Sequence, residues 1–285
     1  MRLHRLITSI ILLAAVAACK GDQPLSAMGS NTPPLAYVRY FNAVPDTLPF
    51  DFRPIDQVLY STPFLAVPFR AEGRGNYLGY QAGSRNIRIF PNSTDLATTS
   101  SIIEDTTLTL SAGKYYSFIH TGHARAGVVP RHSLMVLTDP LPDPGANIAY
   151  RVINVGSDVG TVDVYVTAGA AAHLPASPTF TAVAFRNATA YVTSAPGPMT
   201  IHVLAAGTKA PEISTITAPT GSVTMICGLA NVGGSTIAGS VMTVMVYGAA
   251  TPGSLAEVTS GSGANTTPSV VWWIDKAPST VTVPC

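Results

Sequence analysis

The chain repeats itself once, and that repeat constrains its fold more than any other feature. Arg39, Asn42, Asp46 and Asp51 recur as Arg151, Asn154, Asp158 and Asp163 at a single offset of 112 residues. Phe64-Leu-Ala-Val-Pro-Phe-Arg70 returns as Phe180-Thr-Ala-Val-Ala-Phe-Arg186, and Tyr77, Gly83 and Ile87 return as Tyr191, Gly197 and Ile201. Ala112-Gly113 through Gly122 aligns with Ala238-Gly239 through Gly248, and Ser133 through Asp139 resembles Val270 through Asp275. Units of this length are domain-sized. The offset grows along the chain, which places insertions in the second copy, one of them carrying Cys227. The units are expected over 36–140 and 148–279, joined by the stiff Asp139-Pro-Leu-Pro-Asp-Pro-Gly145, with a C-terminal tail at 280–285.

Within each unit the chain reads as short apolar runs between Gly, Pro, Asn and Asp clusters. Examples are Tyr37-Val-Arg-Tyr-Phe41, Asn86-Ile-Arg-Ile-Phe90, Tyr115-Tyr-Ser-Phe-Ile119 and Val162-Asp-Val-Tyr-Val166. Runs this short, rich in β-branched and aromatic residues and bounded by turn formers, are strands. The chain carries 24 Gly and 23 Pro, both of which interrupt helices. After the first 20 residues no stretch shows a capped 3.6-residue apolar period. About seven strands per unit predict an all-β chain of two tandem antiparallel, immunoglobulin-like β-sandwich domains.

The N-terminus is of a different kind. Arg2, His4 and Arg5 precede an apolar run from Leu6 to Ala18, which ends in Val16-Ala-Ala-Cys19. A basic start, a short hydrophobic core and small residues before a cut describe an export peptide over residues 1–18. The run is too short for the ~20 residues a membrane-crossing helix needs. The ending resembles the bacterial lipobox, which implies that Cys19 is acylated and becomes the first mature residue. Buried acyl methylenes at ~0.8 kcal/mol each make such an anchor stable. Residues 19–35, polar and Pro- and Gly-containing, then read as a flexible tether. Lys20, rather than Asp, follows the lipidated Cys, which in the resembled Gram-negative scheme favours the outer membrane.

Charge narrows the partners. Lys and Arg number 16 against 15 Asp and Glu, and only 11% of residues are charged. Without a basic stripe there is no footprint for nucleic acid. Cys227 and Cys285 remain as a pair in a chain bound for an oxidising compartment, where a bridge stabilises by about 4 kcal/mol; two free thiols are the alternative.

The order Arg-x-x-Asn, Asp before a turn, Val-Asp-Val-Tyr, Phe-Arg…Tyr…Pro-Gly…Ile-x-Val, Ala-Gly-Lys-Tyr-Tyr and a closing apolar strand ending in Asp is similar to the bacterial domain-of-unknown-function family 4397. The resemblance implies exported or lipid-anchored proteins, often with tandem copies. It supplies no catalytic or ligand site. Asn42 and Asn154 depart from it, standing where that family's strand suggests His.

Candidate chemistry is sparse. Asp46, Asp51, Asp158 and Asp163 could serve as an acid–base pair at a polysaccharide, yet carboxylates beside tight turns more often cap them. His120, His123 and His132 share one loop-like stretch and could ligate Zn²⁺, but no Cys or carboxylate lies nearby in sequence to complete the set. The second copy has Val246 and Ala249 at the positions of His120 and His123. His173 and His202 stand alone. Trp272 and Trp273, being adjacent in a strand, must face opposite sides. No Gly-x-Ser-x-Gly or His-Glu-x-x-His occurs. The expected protein is therefore not an enzyme, with no catalytic residues, cofactor or metal. It is a lipid-anchored envelope protein whose two sandwiches are expected to serve binding, adhesion or assembly, the ligand unspecified and an envelope polymer or protein the partner class. The alternatives are a polysaccharide hydrolase and a metal site on the histidine loop.

Overall fold

Alternation decides the architecture. In Leu35–Ala43 (β1), Ala36, Val38 and Tyr40 face one side while Arg39, Phe41 and Ala43 face the other, and all six are buried. A strand buried on both faces belongs to an inner layer. The structure, a computed structural model, describes residues 32–56, 62–170, 173–223, 231–259 and 263–278. The leader at 1–18, Cys19, most of the tether, Cys227, Cys285 and the tail at 280–285 lie outside the described residues.

The first sandwich continues with β2 (Phe50–Pro54), β3 (Phe64–Val67), β4 (Ala71–Glu72), β5 (Leu78–Gln81) and β6 (Gly83–Pro91). It closes with β7 (Glu104–Leu110), β8 (Tyr115–Thr121) and β9 (Ser133–Asp139). One sheet runs β4-β1-β8-β9, with β5 also on β1, and the other runs β3-β2-β6-β7. The second sandwich comprises β10 (Ile148–Asn154), β11 (Val162–Ala168), β12 (Phe180–Val183), β13 (Asn187–Ala188) and β14 (Val192–Ser194). It continues through β15 (Met199–Ala205), β16 (Glu212–Thr217) and β17 (Val241–Tyr247). A two-residue ladder, β18 (Val258–Thr259) with β19 (Gly263–Ala264), precedes the last strand, β20 (Ser269–Lys276). Its sheets run β13-β10-β17-β20, with β14 on β10, and β12-β11-β15-β16.

The chain is thus all-β and built as sandwiches, with two features the sequence did not give. Pairing is antiparallel except that β1 runs parallel to β8, and β10 parallel to β17. The first and second strands of each sandwich lie in opposite sheets, whereas in the immunoglobulin order they pair. Regular helix among the described residues is limited to a four-residue turn, Leu96–Thr99, capped by the Asp95 carboxylate on the Thr98 N–H, and one 3₁₀ turn.

Each sandwich has its own core. Tyr40, Phe52, Phe64, Phe118 and Ile89 fill the first, and Val152, Val164, Ile201, Val203 and Val244 the second. Side chains of this size stabilise by roughly 1.5–3 kcal/mol each on full burial. A third cluster joins the two sandwiches. Phe41, Phe69 and Ile119 meet Ile153, Met245 and Tyr247 there, and the Trp273 ring meets Phe41 edge-on at 5.2 Å. Four sheets therefore stack, the central strands of the two inner ones (β1, β8, β10 and β17) buried on both faces. Trp272 packs on the second core instead, so the adjacent tryptophans do face opposite sides.

Candidate functional site

Between the inner sheets the repeated charges find each other across the sandwich boundary. Arg39 Nη2 lies 2.7 Å from Asp275 Oδ1, and Arg151 Nη2 pairs with Asp139 Oδ1. Each first-sandwich group thus pairs with a second-sandwich one, and the reverse. The supporting bonds are duplicated as well. Arg39 Nε donates to Ser117 Oγ at 2.7 Å and Ser117 donates to Asp139 at 2.6 Å. Arg151 Nε donates to Thr243 Oγ1 at 3.0 Å and Thr243 donates to Asp275 at 2.6 Å. Tyr77 and Tyr191 each donate to the aspartate of their own sandwich at 2.7 Å. The Arg39 and Arg151 guanidinium groups lie over the Tyr77 and Tyr191 rings. Burial pushes the Arg39 guanidinium down, and Asp275, Tyr77 and Asp139 more than reverse it, so the cation is retained.

The network has one unmatched member. Glu72 stands opposite Phe41, where Ala188 stands opposite Ile153 in the second sandwich. Burial raises its carboxyl to about 7 against the pull of Arg39, and its Oε1 has no hydrogen-bond partner.

A second pair of arginines fastens the rim. Arg70 donates to the carbonyls of Gly248, at 2.6 Å, and Thr267. Arg186 donates to Thr121 Oγ1 at 2.8 Å and to the Arg131 carbonyl at 2.5 Å. Both arginines sit in left-handed backbone, φ 63° and 62°, which turns them out of their own sandwich toward the other.

The tempting aspartates serve these same turns. Asp51 accepts from the Ala66 N–H at 2.8 Å, and Asp163 from the Ala182 N–H at 2.7 Å. Ala66 and Ala182 hold positive φ, 52° and 51°, so each carboxylate secures a strained residue. Asp46 accepts the Ala124 and Arg125 N–H groups, and Asp158 that of Ala249. Asn42 and Asn154 each donate to a carbonyl at the end of a strand in the facing sheet, Val67 on β3 and Val183 on β12, and accept the N–H two residues on.

Beside the network a cleft of about 510 Å³ opens at the junction of the sandwiches, lined by Tyr37, Tyr77, Tyr115, Asn76, Ile274 and Lys276 among others. Tyr37 and Tyr115 stack at 4.7 Å and Tyr77 meets Tyr115 edge-on at 5.1 Å. A cavity of about 350 Å³ occupies the equivalent place on the other side, around Tyr191, Thr138 and Pro140. There Ala149 and Val241 hold the positions of Tyr37 and Tyr115, paired in the same register.

The histidines separate. His120 on β8 and His132 just before β9 converge with Glu104 at the start of β7. His132 Nδ1 lies 2.8 Å from Glu104 Oε1, and His120 Nε2 lies 3.5 Å from His132 Nδ1 and 3.7 Å from Glu104 Oε1. Burial, then the nearby His132 and Arg186, lower His120 to about 3, so its imidazole is neutral. His123 is not part of this group: it sits 3.5 Å from Asp46 and 3.1 Å from Ser157 Oγ.

Residues 36–165 match the family model described as "Domain of unknown function (DUF4397)". The matched segment takes in the whole first sandwich, β10 and part of β11. Among curated proteins none matches. A crystal structure of a leucine-rich repeat protein from Bacteroides thetaiotaomicron is similar over 65% of this chain, at 14% identity and a TM-score of 0.19. The chain spans 24% of that protein's length.

Two sequence expectations need correction. A carboxylate does complete the histidine set, Glu104, but it comes from the facing sheet. Nor does His202 in the second sandwich stand alone: its Nδ1 lies 3.0 Å from Glu212 Oε1 and its Nε2 3.1 Å from Thr167 Oγ1. The order resembles a nucleophile–base–acid triad, but the Thr167 hydroxyl donates to the Gly169 carbonyl at 3.0 Å, which commits its hydrogen away from the imidazole. His173 is exposed. No described helix is long and apolar enough to cross a membrane.

Proposed function

We propose that the mature chain is an exported, lipid-anchored protein of the cell envelope that binds a saccharide polymer without turning it over. The observation that carries this reading is the tyrosine cleft. Three tyrosines have been placed around a cavity of about 510 Å³ on one side of a junction whose other side keeps only Tyr191. Volumes of this order suit small ligands or a few units of a polymer. Tyrosine faces stack on apolar ring surfaces while their hydroxyls stay wet, and Asn76 and Lys276 supply polar partners at the edge. The reciprocal network behind the cleft holds its two walls, one from each sandwich, in fixed relation.

Export and anchoring are supported by the Arg2–Cys19 leader and its lipobox-like end. The absence of turnover is supported by the structural use of Asp46, Asp51, Asp158 and Asp163. A bridge between Cys227 and Cys285 belongs to the same reading, and intact mass with and without reductant tests it.

The experiment is titration of the mature chain against a panel of envelope glycans. Tyr37→Ala and Tyr115→Ala should each weaken binding about tenfold, the worth of one stacked aromatic contact. Binding indifferent to both substitutions, or glycan cleavage that Asp51→Asn abolishes in a folded protein, would overturn the reading. Cell fractionation of Cys19→Ala, expected to lose acyl mass and membrane association, tests the anchor.

A further inference from the structure

Glu104, His120 and His132 remain after the network, the turns and the cleft have been assigned. Their burial is graded. The His120 side chain is fully buried, while those of His132 and Glu104 are 15% and 22% exposed. The three ligand atoms lie 2.8, 3.5 and 3.7 Å apart. Ligand atoms ~2.1 Å from a tetrahedral ion stand about 3.4 Å from one another. The triangle is therefore already the size such an ion needs, and only the His132–Glu104 edge has to open.

The side chains are held from outside. His120 sits in register between Asn42 on β1 and Leu134 on β9, with the Phe50 ring 4.9 Å away. Its other nitrogen, Nδ1, faces the buried Tyr40 hydroxyl at 3.5 Å, which fixes the ring with Nε2 toward the cluster. An outer partner of this kind is what orients a metal-ligating histidine. Glu104 is pinned by its pairing with Ile89 on β6, and the His132 N–H donates to the His123 carbonyl at 2.9 Å. Arg186 approaches from the second sandwich and acts on both His120 and Glu104. Its charge opposes a cation here and is offset by the Glu104 carboxylate.

We propose that Glu104, His120 and His132 form a binding site for a late first-row divalent ion, Zn²⁺ being the fitting case. Two imidazoles and one carboxylate suit Zn²⁺, Cu²⁺ or Ni²⁺ rather than Ca²⁺ or Mg²⁺, which take oxygen ligands. The exposed edge beside His132 and Glu104 leaves a coordination position for water. The site lies in the first sandwich only, because Val246 occupies the His120 register position in the second. It is independent of the tyrosine cleft.

The test uses the chelator-treated, untagged mature chain and Zn²⁺ alone, followed by calorimetry and by X-ray absorption at the zinc edge. One equivalent should bind, with two imidazoles and a carboxylate in the absorption spectrum. Glu104→Gln and His132→Gln should each weaken binding at least tenfold, and His120→Val, which copies the second sandwich, should abolish it. Glycan binding should not change in any of the three. Substoichiometric Zn²⁺ uptake, a spectrum without imidazole scattering, or equal affinity in folded Glu104→Gln would sink the proposal. Should His120→Val fail to fold, the spectrum of the unsubstituted protein decides alone.

Discussion

The two sandwiches are alike in the charge network between them and unlike at the tyrosine cleft and the histidine cluster. At the shared face Arg39 and Arg151, Asp139 and Asp275, Ser117 and Thr243, and Tyr77 and Tyr191 take the same partners in exchanged roles. Away from it, His120 faces Val246 in the comparison, and Tyr37 and Tyr115 face Ala149 and Val241. In a reciprocal contact a change in either sandwich breaks a pair that reaches into the other. Positions outside that network carry no such obligation. Likeness therefore marks assembly, and difference marks where one sandwich alone has acquired chemistry.

Removing one carboxylate is the harshest way to break the symmetry. Asp139→Ala or Asp275→Ala leaves a buried guanidinium without its partner, and each should cost about 3–5 kcal/mol in chemical denaturation. If the exchange of roles is real, the two losses should agree and the double substitution should cost less than their sum. A large loss for one and a small loss for the other would show that the halves are not energetically equivalent.

A milder comparison lies in the turns. Asp51→Ala and Asp163→Ala each free a buried N–H and should destabilise by roughly 1–3 kcal/mol. Each carboxylate also takes a second donor, Asp51 the Asn92 amide at 3.0 Å and Asp163 the Gly207 N–H at 2.8 Å, so the two losses should be similar.

The smallest effect sharpens the one asymmetry inside the interface. Glu72 is held more readily protonated in the fold than in the unfolded chain, its carboxyl raised from 4.5 to about 7. The carboxyl therefore costs stability as pH climbs through that window and none below it. Glu72→Gln should gain on the order of 1 kcal/mol at pH 8 and nothing near pH 4, read from paired denaturation curves. Ala188→Glu in the second sandwich should impose the same pH dependence there.

Much of this was legible in the sequence. Gly, Pro and Asn punctuation gave the strands, and the recurrence of Arg39, Asn42, Asp46 and Asp51 marked positions under structural demand. What the recurrence could not show was direction. Arg39 and Arg151 read as equivalents, whereas their meaning is that each reaches the other's aspartate. The parallel pairing of β1 with β8 was hidden for a related reason, since register between distant strands is a property of the assembled sheet. Glu104 escaped because it sits between Ile103 and Asp105 with no His or Cys beside it, and only the facing of two sheets brings it to His120. His202 escaped in the same way, its partners Glu212 and Thr167 lying on adjacent strands.

The parallel pairing also has a mechanical meaning. Seven residues of β1 run alongside β8 in the same direction, with their bonds spread evenly along the strand. A pull on the chain ahead of Leu35, resisted further along the polypeptide, would load all of those bonds together instead of peeling them open in turn. Such a strand resists shear along its length better than an edge that unzips one bond at a time.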